Sequence, residues 1–259
     1  MSETQTPVRW RLSVISHGHG AAVNRVLCAA HQQLADCAHE LVLTINIPEP
    51  LDHLDALPAS LRARLQIIHN RAARGFGANH NAALLGSSAT FVALLDPDLG
   101  LPVPIFAALE RALANPATGL IAPLAYDSRG RLEDNGRRLA TPWDIARRRI
   151  QRGSHQCVEP TQPLQAVEWL AGLFMAARAQ TFTRIGGFDP RFWMYCEDVD
   201  LCLRARQQGF DVIRANHLKI NHDARRNTFR RPGHLRWHLQ SLWRLWHTPA
   251  YAWARKHRL

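Results

Sequence analysis

Cysteine is sparse in this chain: five residues of 259, Cys28, Cys37, Cys157, Cys196 and Cys202. The count is odd and no Cys-x-x-Cys spacing occurs, which argues against a disulfide scaffold or a zinc knuckle and suits a reducing compartment. No run approaches the roughly 18 apolar residues of a membrane-spanning helix. The opening residues MSETQTPVRWRL lack the charged start, apolar middle and small-residue cleavage site of a signal peptide. The expectation is a cytoplasmic protein that neither spans a membrane nor is secreted. Acids are scarce at one end. From His217 to Leu259, ten Lys or Arg stand against a single acid, Asp223, so this tail carries +9 of the net +11. Such a tail suits an anionic membrane face, a phosphorylated ligand or nucleic acid, and charge alone does not choose among them.

What is present is a globular composition, 46% hydrophobic and 20% charged. Short apolar runs alternate with helix-period segments over the first hundred residues, the pattern of β-α-β units around a parallel sheet. Strands are predicted at Trp10 to Ser16, Glu40 to Asn46, Leu65 to His69, Thr90 to Leu95, Gly119 to Leu124 and Gly172 to Arg178. Helices are predicted after Gly20, over Leu54 to Arg64, Asn79 to Gly86, Pro102 to Asn115, Ala179 to Ile185 and Asp198 to Gln208. Phe210 to Asn221 is expected to close the sheet as one or two strands, and 126–165 to form an irregular loop or hairpin region. One domain over residues 1–226 is expected, followed by a basic, Trp- and Arg-rich helical extension over 227–259.

The fourth strand, Thr90 to Leu95, is apolar without alternation, as a central strand covered on both faces would be. Asp96 and Asp98 follow at its carboxyl end, where open α/β sheets bind ligands. Carboxylates one residue apart share a side of an extended backbone and can face a hard divalent cation; an Asp-Pro-Asp turn bonding its own amides is the alternative. Glu197, Asp198 and Asp200 pose a similar choice between a site and the acid-rich first turn of a helix. Trp193 and Tyr195 beside them offer either core packing or a stacking platform for a sugar ring. His222 ends a strand pattern and pairs a nitrogen with the oxygen of Asp98 for one cation, with Arg225 or Arg226 able to hold phosphate oxygens. Arg74 to Leu84, RGFGANHNAAL, lets backbone amides approach a ligand at a helix start.

In this order and at these separations the segments resemble the family 2 glycosyltransferases of GT-A fold, especially rhamnosyltransferase-like bacterial members. The resemblance runs from about Arg11 to Thr228, carried by RGFGANHNAAL, LLDPD and the stretch AGLFMAARAQTFTRIGGFDPRFWMYCEDVDLCLRARQQGF leading to INHDARRNT. It implies a Rossmann-like, mostly parallel sheet flanked by helices. It also implies a metal-dependent, inverting transfer of a sugar from a dTDP- or UDP-sugar to a glycan or lipid-linked acceptor, in polysaccharide or lipopolysaccharide synthesis. Asp96 and Asp98 would be the Asp-x-Asp motif, holding Mg²⁺ or Mn²⁺ with His222. Asp198 would be the catalytic base, with Glu197 beside it and Asp200, Trp193 and Tyr195 on the acceptor side. Ser16, Asn46, Arg74, Gly75, Asn81, Asp96, Arg225 and Arg226 would serve the donor. Ser16-His17-Gly18 and Thr44-Ile45-Asn46 depart from the family's usual Thr-Tyr-Asn and Asp-Asn, which leaves the nucleotide open.

In the tail, Leu235, Leu239, Leu242, Trp243 and Trp246 recur at helical spacing, predicting an amphipathic helix over Leu235 to His247 that packs on its own domain or docks peripherally on an anionic membrane. A basic nucleic-acid-binding protein would use the same tail, and an inactive glycosyltransferase-like binding module would keep the fold. The acidic clusters are unexplained by the nucleic-acid alternative, so no nucleic-acid partner is expected.

Overall fold

The computed structural model describes residues 7–139, 157–222 and 232–257. Strands β1 (Trp10–Ser16), β2 (His39–Ile45), β3 (Leu65–His69) and β4 (Phe91–Leu95) are parallel. Between them lie α1 (Ala22–Gln33), a 3-10 turn at Asp52–Ala56 with the short α2 (Ala59–Arg62), and α3 (Phe76–Leu84). The chain continues through β5 (Leu99–Gly100), α4 (Phe106–Leu113), β6 (Thr118–Tyr126), β7 (Gly136–Arg137), β8 (Leu164–Ala166), β9 (Trp169–Leu170) and β10 (Phe174–Arg178). It ends with α5 (Ala179–Ile185), α6 (Glu197–Gln207), β11 (Asp211–His222), α7 (Pro232–Trp246) and α8 (Pro249–Lys256).

The main sheet runs β3-β2-β1-β4-β10-β6-β11-β5, with β8 also paired to β11. Its first half is the expected parallel array. Its second half is mixed, because β10 enters antiparallel to both β4 and β6. Although β4 is buried throughout, its side chains still alternate between two cores. Phe91, Ala93 and Leu95 join α1 and α4 on one face, while Val92 and Leu94 meet α3, α5 and α6 on the other. This explains the unbroken apolar run: both faces of a central strand must be covered.

Several expected boundaries shift for local reasons. The helix predicted over Leu54 to Arg64 is two short pieces, broken where Pro58 takes an extended ψ of 141°. The helix predicted from Pro102 begins only at Phe106, since Pro102 and Pro104 precede it. By contrast α3 starts three residues early, at Phe76, directly after Gly75. The closing segment is a single strand whose register on β6 shifts between Ala215 and Lys219. Pairing at its far end fixes the site: β5 is antiparallel to β11, with His222 opposite Leu99. That register sets His222 beside the residue that follows Asp98.

Beyond the sheet, α8 packs against α6, and its Tyr251 and Ala254 belong to the same core as Val199 and Leu203. Thr248 caps α8 by accepting a hydrogen bond from the Tyr251 amide, with Pro249 in the first turn. No helix among the described residues is long and apolar enough to cross a membrane.

Candidate active site

The end of β4 and the end of β11 meet as expected. Ligand atoms of Asp96, Asp98 and His222 all lie within 4.8 Å of one another. His222 Nε2 stands 3.6 Å from Asp96 Oδ2 and 3.4 Å from Asp98 Oδ1. Two carboxylate oxygens and one imidazole nitrogen, on half-buried side chains, form a donor set that fits Mn²⁺ or a similar divalent cation. The opposite ring nitrogen of His222, Nδ1, is 2.5 Å from Glu133 Oε2. Glu133 thereby fixes the ring so that Nε2 points at the aspartates, the arrangement seen where a carboxylate orients a metal-ligating histidine.

The electrostatics describe a site that attracts positive charge. Burial works against a charged imidazole, yet its hydrogen bonds to the Asp96, Asp98 and Glu133 carboxylates outweigh it and push His222 up to about 12. Burial raises Asp96, whereas the His222 contacts hold Asp98 below its ordinary value despite burial. A proton on His222 and a metal ion would compete for the same carboxylates.

The second acidic cluster begins α6. Tyr195 and Cys196 both adopt left-handed backbone, with φ of 72° and 64°, a strained turn for two side-chain-bearing residues. It aims Asp198 at the β9-β10 connection, where the Gly172 amide donates to Asp198 Oδ2 at 3.1 Å. The Val199 amide donates to the other oxygen at 2.8 Å. A Cβ at Gly172 would lie 3.2 Å from the Phe76 ring, which would have to give by a few tenths of an ångström, and in ordinary contact at 3.6 Å from Asp198 Cβ. One residue on, the Leu173 carbonyl accepts from the Asp96 amide at 2.8 Å. Residues 172 and 173 thus join the two clusters directly. Burial raises the Asp198 carboxyl, with partial relief from those amides and from the positive charge of Arg137.

The other two acids of this turn have different surroundings. Glu197 is 6% exposed, its Oε2 has no hydrogen-bond partner among the described residues, and burial together with Asp198 pushes it up to about 8. Asp200, expected on the acceptor side, is instead buried and paired with Arg204 at 2.7 Å. Arg204 also donates to the Ile185 carbonyl, so Asp200 ties α6 to α5.

Among the residues expected to serve the donor, Asn46 is a hydrogen-bonding hub. Its Oδ1 accepts from the Arg74 amide at 2.8 Å and from Asn70, while its Nδ2 donates to the Arg74 carbonyl at 3.0 Å. Ser16 holds the preceding strand end, its carbonyl accepting from the Asn46 amide at 2.8 Å. The Arg74 side chain stays exposed. Gly75 packs so closely on the chain at Phe192 and Trp193 that a Cβ would sit 2.7 Å from the Trp193 carbonyl oxygen. Asn81, also expected to serve the donor, has both its amide atoms bound to the backbone of Phe188, at 2.7 and 2.8 Å. Arg225 and Arg226 lie outside the described residues. Trp193 is 40% exposed and flanks this junction, and the Tyr195 hydroxyl is 2.9 Å from His234 Nδ1 on α7.

Glu133 and Gly172 were not singled out from the sequence. Glu133 lies in an irregular stretch and meets His222 only through a separation of 89 residues. Gly172 offered a weak signal as a lone glycine opening a strand.

Residues 152–229 match a family model described as the N-terminal domain of galactosyltransferase. Rhamnosyltransferase WbbL of Escherichia coli is 42% identical over 81 residues, covering 30% of each chain. The N-acetylglucosaminyl-diphospho-decaprenol L-rhamnosyltransferase of Mycobacterium tuberculosis is 28% identical over 195 residues, 64% of this chain and 61% of that protein. The chain therefore spans less than two thirds of either relative's length. Among solved structures, GalNAc-T7 with UDP, GalNAc and Mn²⁺ superposes with a TM-score of 0.63 at 15% identity, covering 85% of this chain and 44% of its own. The mannosyltransferase PcManGT from Pyrobaculum calidifontis, with GDP-Man and Mn²⁺, gives 0.58 at 17% identity over 92% and 66%. The chain has the GT-A glycosyltransferase fold, a mixed sheet flanked by helices, and is similar in sequence to the rhamnosyltransferase-like members of glycosyltransferase family 2.

Proposed function

We propose that this chain is a metal-dependent, inverting glycosyltransferase that moves a sugar from a dTDP- or UDP-sugar to a hydroxyl of a glycan or lipid-linked acceptor, in cell-surface polysaccharide or lipopolysaccharide synthesis. The observation that carries the reading is the convergence of Asp96, Asp98 and His222 within 4.8 Å, joined through residues 172 and 173 to Asp198. The two rhamnosyltransferase relatives favour a deoxyhexose among the donors, and the two Mn²⁺- and nucleotide-containing neighbours support the cofactor class.

Asp96, Asp98 and His222 would hold the divalent cation, which when bound offsets the negative charge gathering on a departing nucleoside diphosphate. The remaining work falls to the chain itself. The exposed Arg74 would meet phosphate oxygens, with the Asn46 network holding its backbone. Asp198 accepts the acceptor's hydroxyl proton as that oxygen attacks the anomeric carbon. The bond from that carbon to the phosphate oxygen breaks on the opposite side and the diphosphate keeps the electron pair. One displacement inverts the configuration. The raised value of Asp198 strengthens it as a proton acceptor, and its two amide bonds keep it aimed.

The test is transfer from a panel of dTDP- and UDP-sugars, with Mn²⁺ and then with chelator. Transfer that disappears on chelation and returns with Mn²⁺ supports the reading; chelator-resistant transfer, or none with any donor and acceptor, rejects it. Sugar-nucleotide work of this kind belongs to the cytoplasm, with a lipid-linked acceptor at the inner face of its membrane.

A further inference from the structure

Helix α7 has two unlike sides. Its inner side backs every residue from Arg191 to Tyr195, the chain that leads into Asp198. Arg244 donates to the Arg191 carbonyl and lies over the Phe192 ring at 5.7 Å. Trp237 meets Trp193 at 6.1 Å between ring centroids, Ser241 donates to the Met194 carbonyl at 2.8 Å, and His234 bonds the Tyr195 hydroxyl. Leu245, on the same helix, is buried in the core.

The outer side is an apolar stripe that none of the described residues covers. Leu235, Leu239 and Trp243 follow one another at intervals of four and are 63%, 58% and 65% exposed. Residues this far apart on a helix lie along one stripe. The surroundings are basic: α7 and α8 contain Arg236, Arg244, Arg255 and Lys256 and no Asp or Glu. The nine residues before α7 in the sequence add four arginines and one aspartate.

Resting on the glycosyltransferase reading, we propose that the outer face of α7 docks on an anionic lipid bilayer and so holds the acceptor side of the cleft at the membrane surface. Charge decides the occupant. A second copy would bring two acid-free, basic helices face to face, whereas anionic headgroups attract them while Leu235, Leu239 and Trp243 enter the interfacial layer. Nucleic acid would satisfy the arginines and leave the leucines exposed to water. The inner contacts then give docking a consequence: the segment at Arg191 to Tyr195 is fixed relative to the bilayer through a single helix.

The experiment is co-sedimentation of the full chain with vesicles, either pure phosphatidylcholine or phosphatidylcholine and phosphatidylglycerol in equal parts, at low and high salt. The protein should pellet with the anionic vesicles and release as salt rises. Leu235→Ser, Leu239→Ser and Trp243→Ser together should abolish pelleting. Arg236→Gln, Arg255→Gln and Lys256→Gln together should weaken it by roughly tenfold or more. Thermal unfolding and Mn²⁺ affinity of both variants should match the unmodified protein, which separates lost docking from lost folding. Absence of pelleting with anionic vesicles at low salt overturns the proposal. So does pelleting that neither variant changes, or a dimer in sedimentation velocity that the Leu235/Leu239/Trp243 variant dissolves. Vesicle binding needs no turnover, so its failure is distinguishable from failure of the proposed reaction.

Discussion

The carboxylates after β4 and those opening α6 are equally crowded, yet they are built differently. Asp96 and Asp98 gain their partner from 126 and 124 residues away, because β5 pairs with β11 and sets His222 opposite Leu99. Glu197, Asp198 and Asp200 are neighbours in one helical turn with different hydrogen-bond surroundings, although the charge of Asp198 adds to burial in raising Glu197: one has no partner for Oε2 among the described residues, one faces Gly172, and one is bound to Arg204. Convergence from distant segments makes the first cluster a single site. Divergence around a helix makes the second three separate residues, of which Asp198 alone is joined to the first cluster through residues 172 and 173.

The sharpest way to break this comparison is to exchange carboxylate for amide at single positions. Asp198→Asn should lower kcat by about 10²- to 10⁴-fold, the usual worth of a general base, while leaving Mn²⁺ affinity unchanged. Glu133→Gln should weaken Mn²⁺ binding by roughly 10- to 100-fold, read by electron paramagnetic resonance, because His222 loses the carboxylate that orients it. Asp200→Ala should reduce stability by about 3 kcal/mol, by leaving Arg204 without its buried partner, and change kcat little. Equal loss of kcat at Asp198 and Asp200 would mean that the three acids act together after all.

Glu197 gives the smallest effect, a pH signature. Its folded value of about 8 stands above the ordinary 4.5, so its stabilising contribution is fully present below pH 4.5 and is lost as pH rises through about 8. Glu197→Gln should flatten the fall in Tm over this window, by at least about 4 °C between its ends. A variant with the same slope as the unmodified protein would place the raised value elsewhere.

Much of the site was legible because its residues carry their chemistry in short, ordered motifs. LLDPD follows an apolar strand, and the Glu-Asp pair opens a helix. Position in an open sheet does the rest, since β4 and β11 deliver their ends to one edge. The partners of Asn81 were illegible because a motif shows which residues cluster but not where an amide finds its partners; here both lie on the backbone of Phe188. Glu133 was illegible since its role depends on a fold-level contact with β11 and no local pattern marks it. Pro58, within the helix predicted over Leu54 to Arg64, did carry a readable break. The antiparallel insertion of β10 between β4 and β6 left no trace in its apolar run, FMAAR, because a strand buried on both faces reads alike in either direction.

The central claim is that the two acidic clusters divide the work, Asp98 holding the cation and Asp198 taking the proton. Mn²⁺ titration of Asp98→Ala and Asp198→Asn, each followed by a transfer assay on the same sample, tests it most directly. The account predicts that Asp98→Ala loses both Mn²⁺ binding and transfer, whereas Asp198→Asn binds Mn²⁺ as the unmodified protein does and transfers sugar about 10²- to 10⁴-fold more slowly. Undiminished Mn²⁺ affinity in Asp98→Ala, or undiminished transfer by Asp198→Asn, would contradict it.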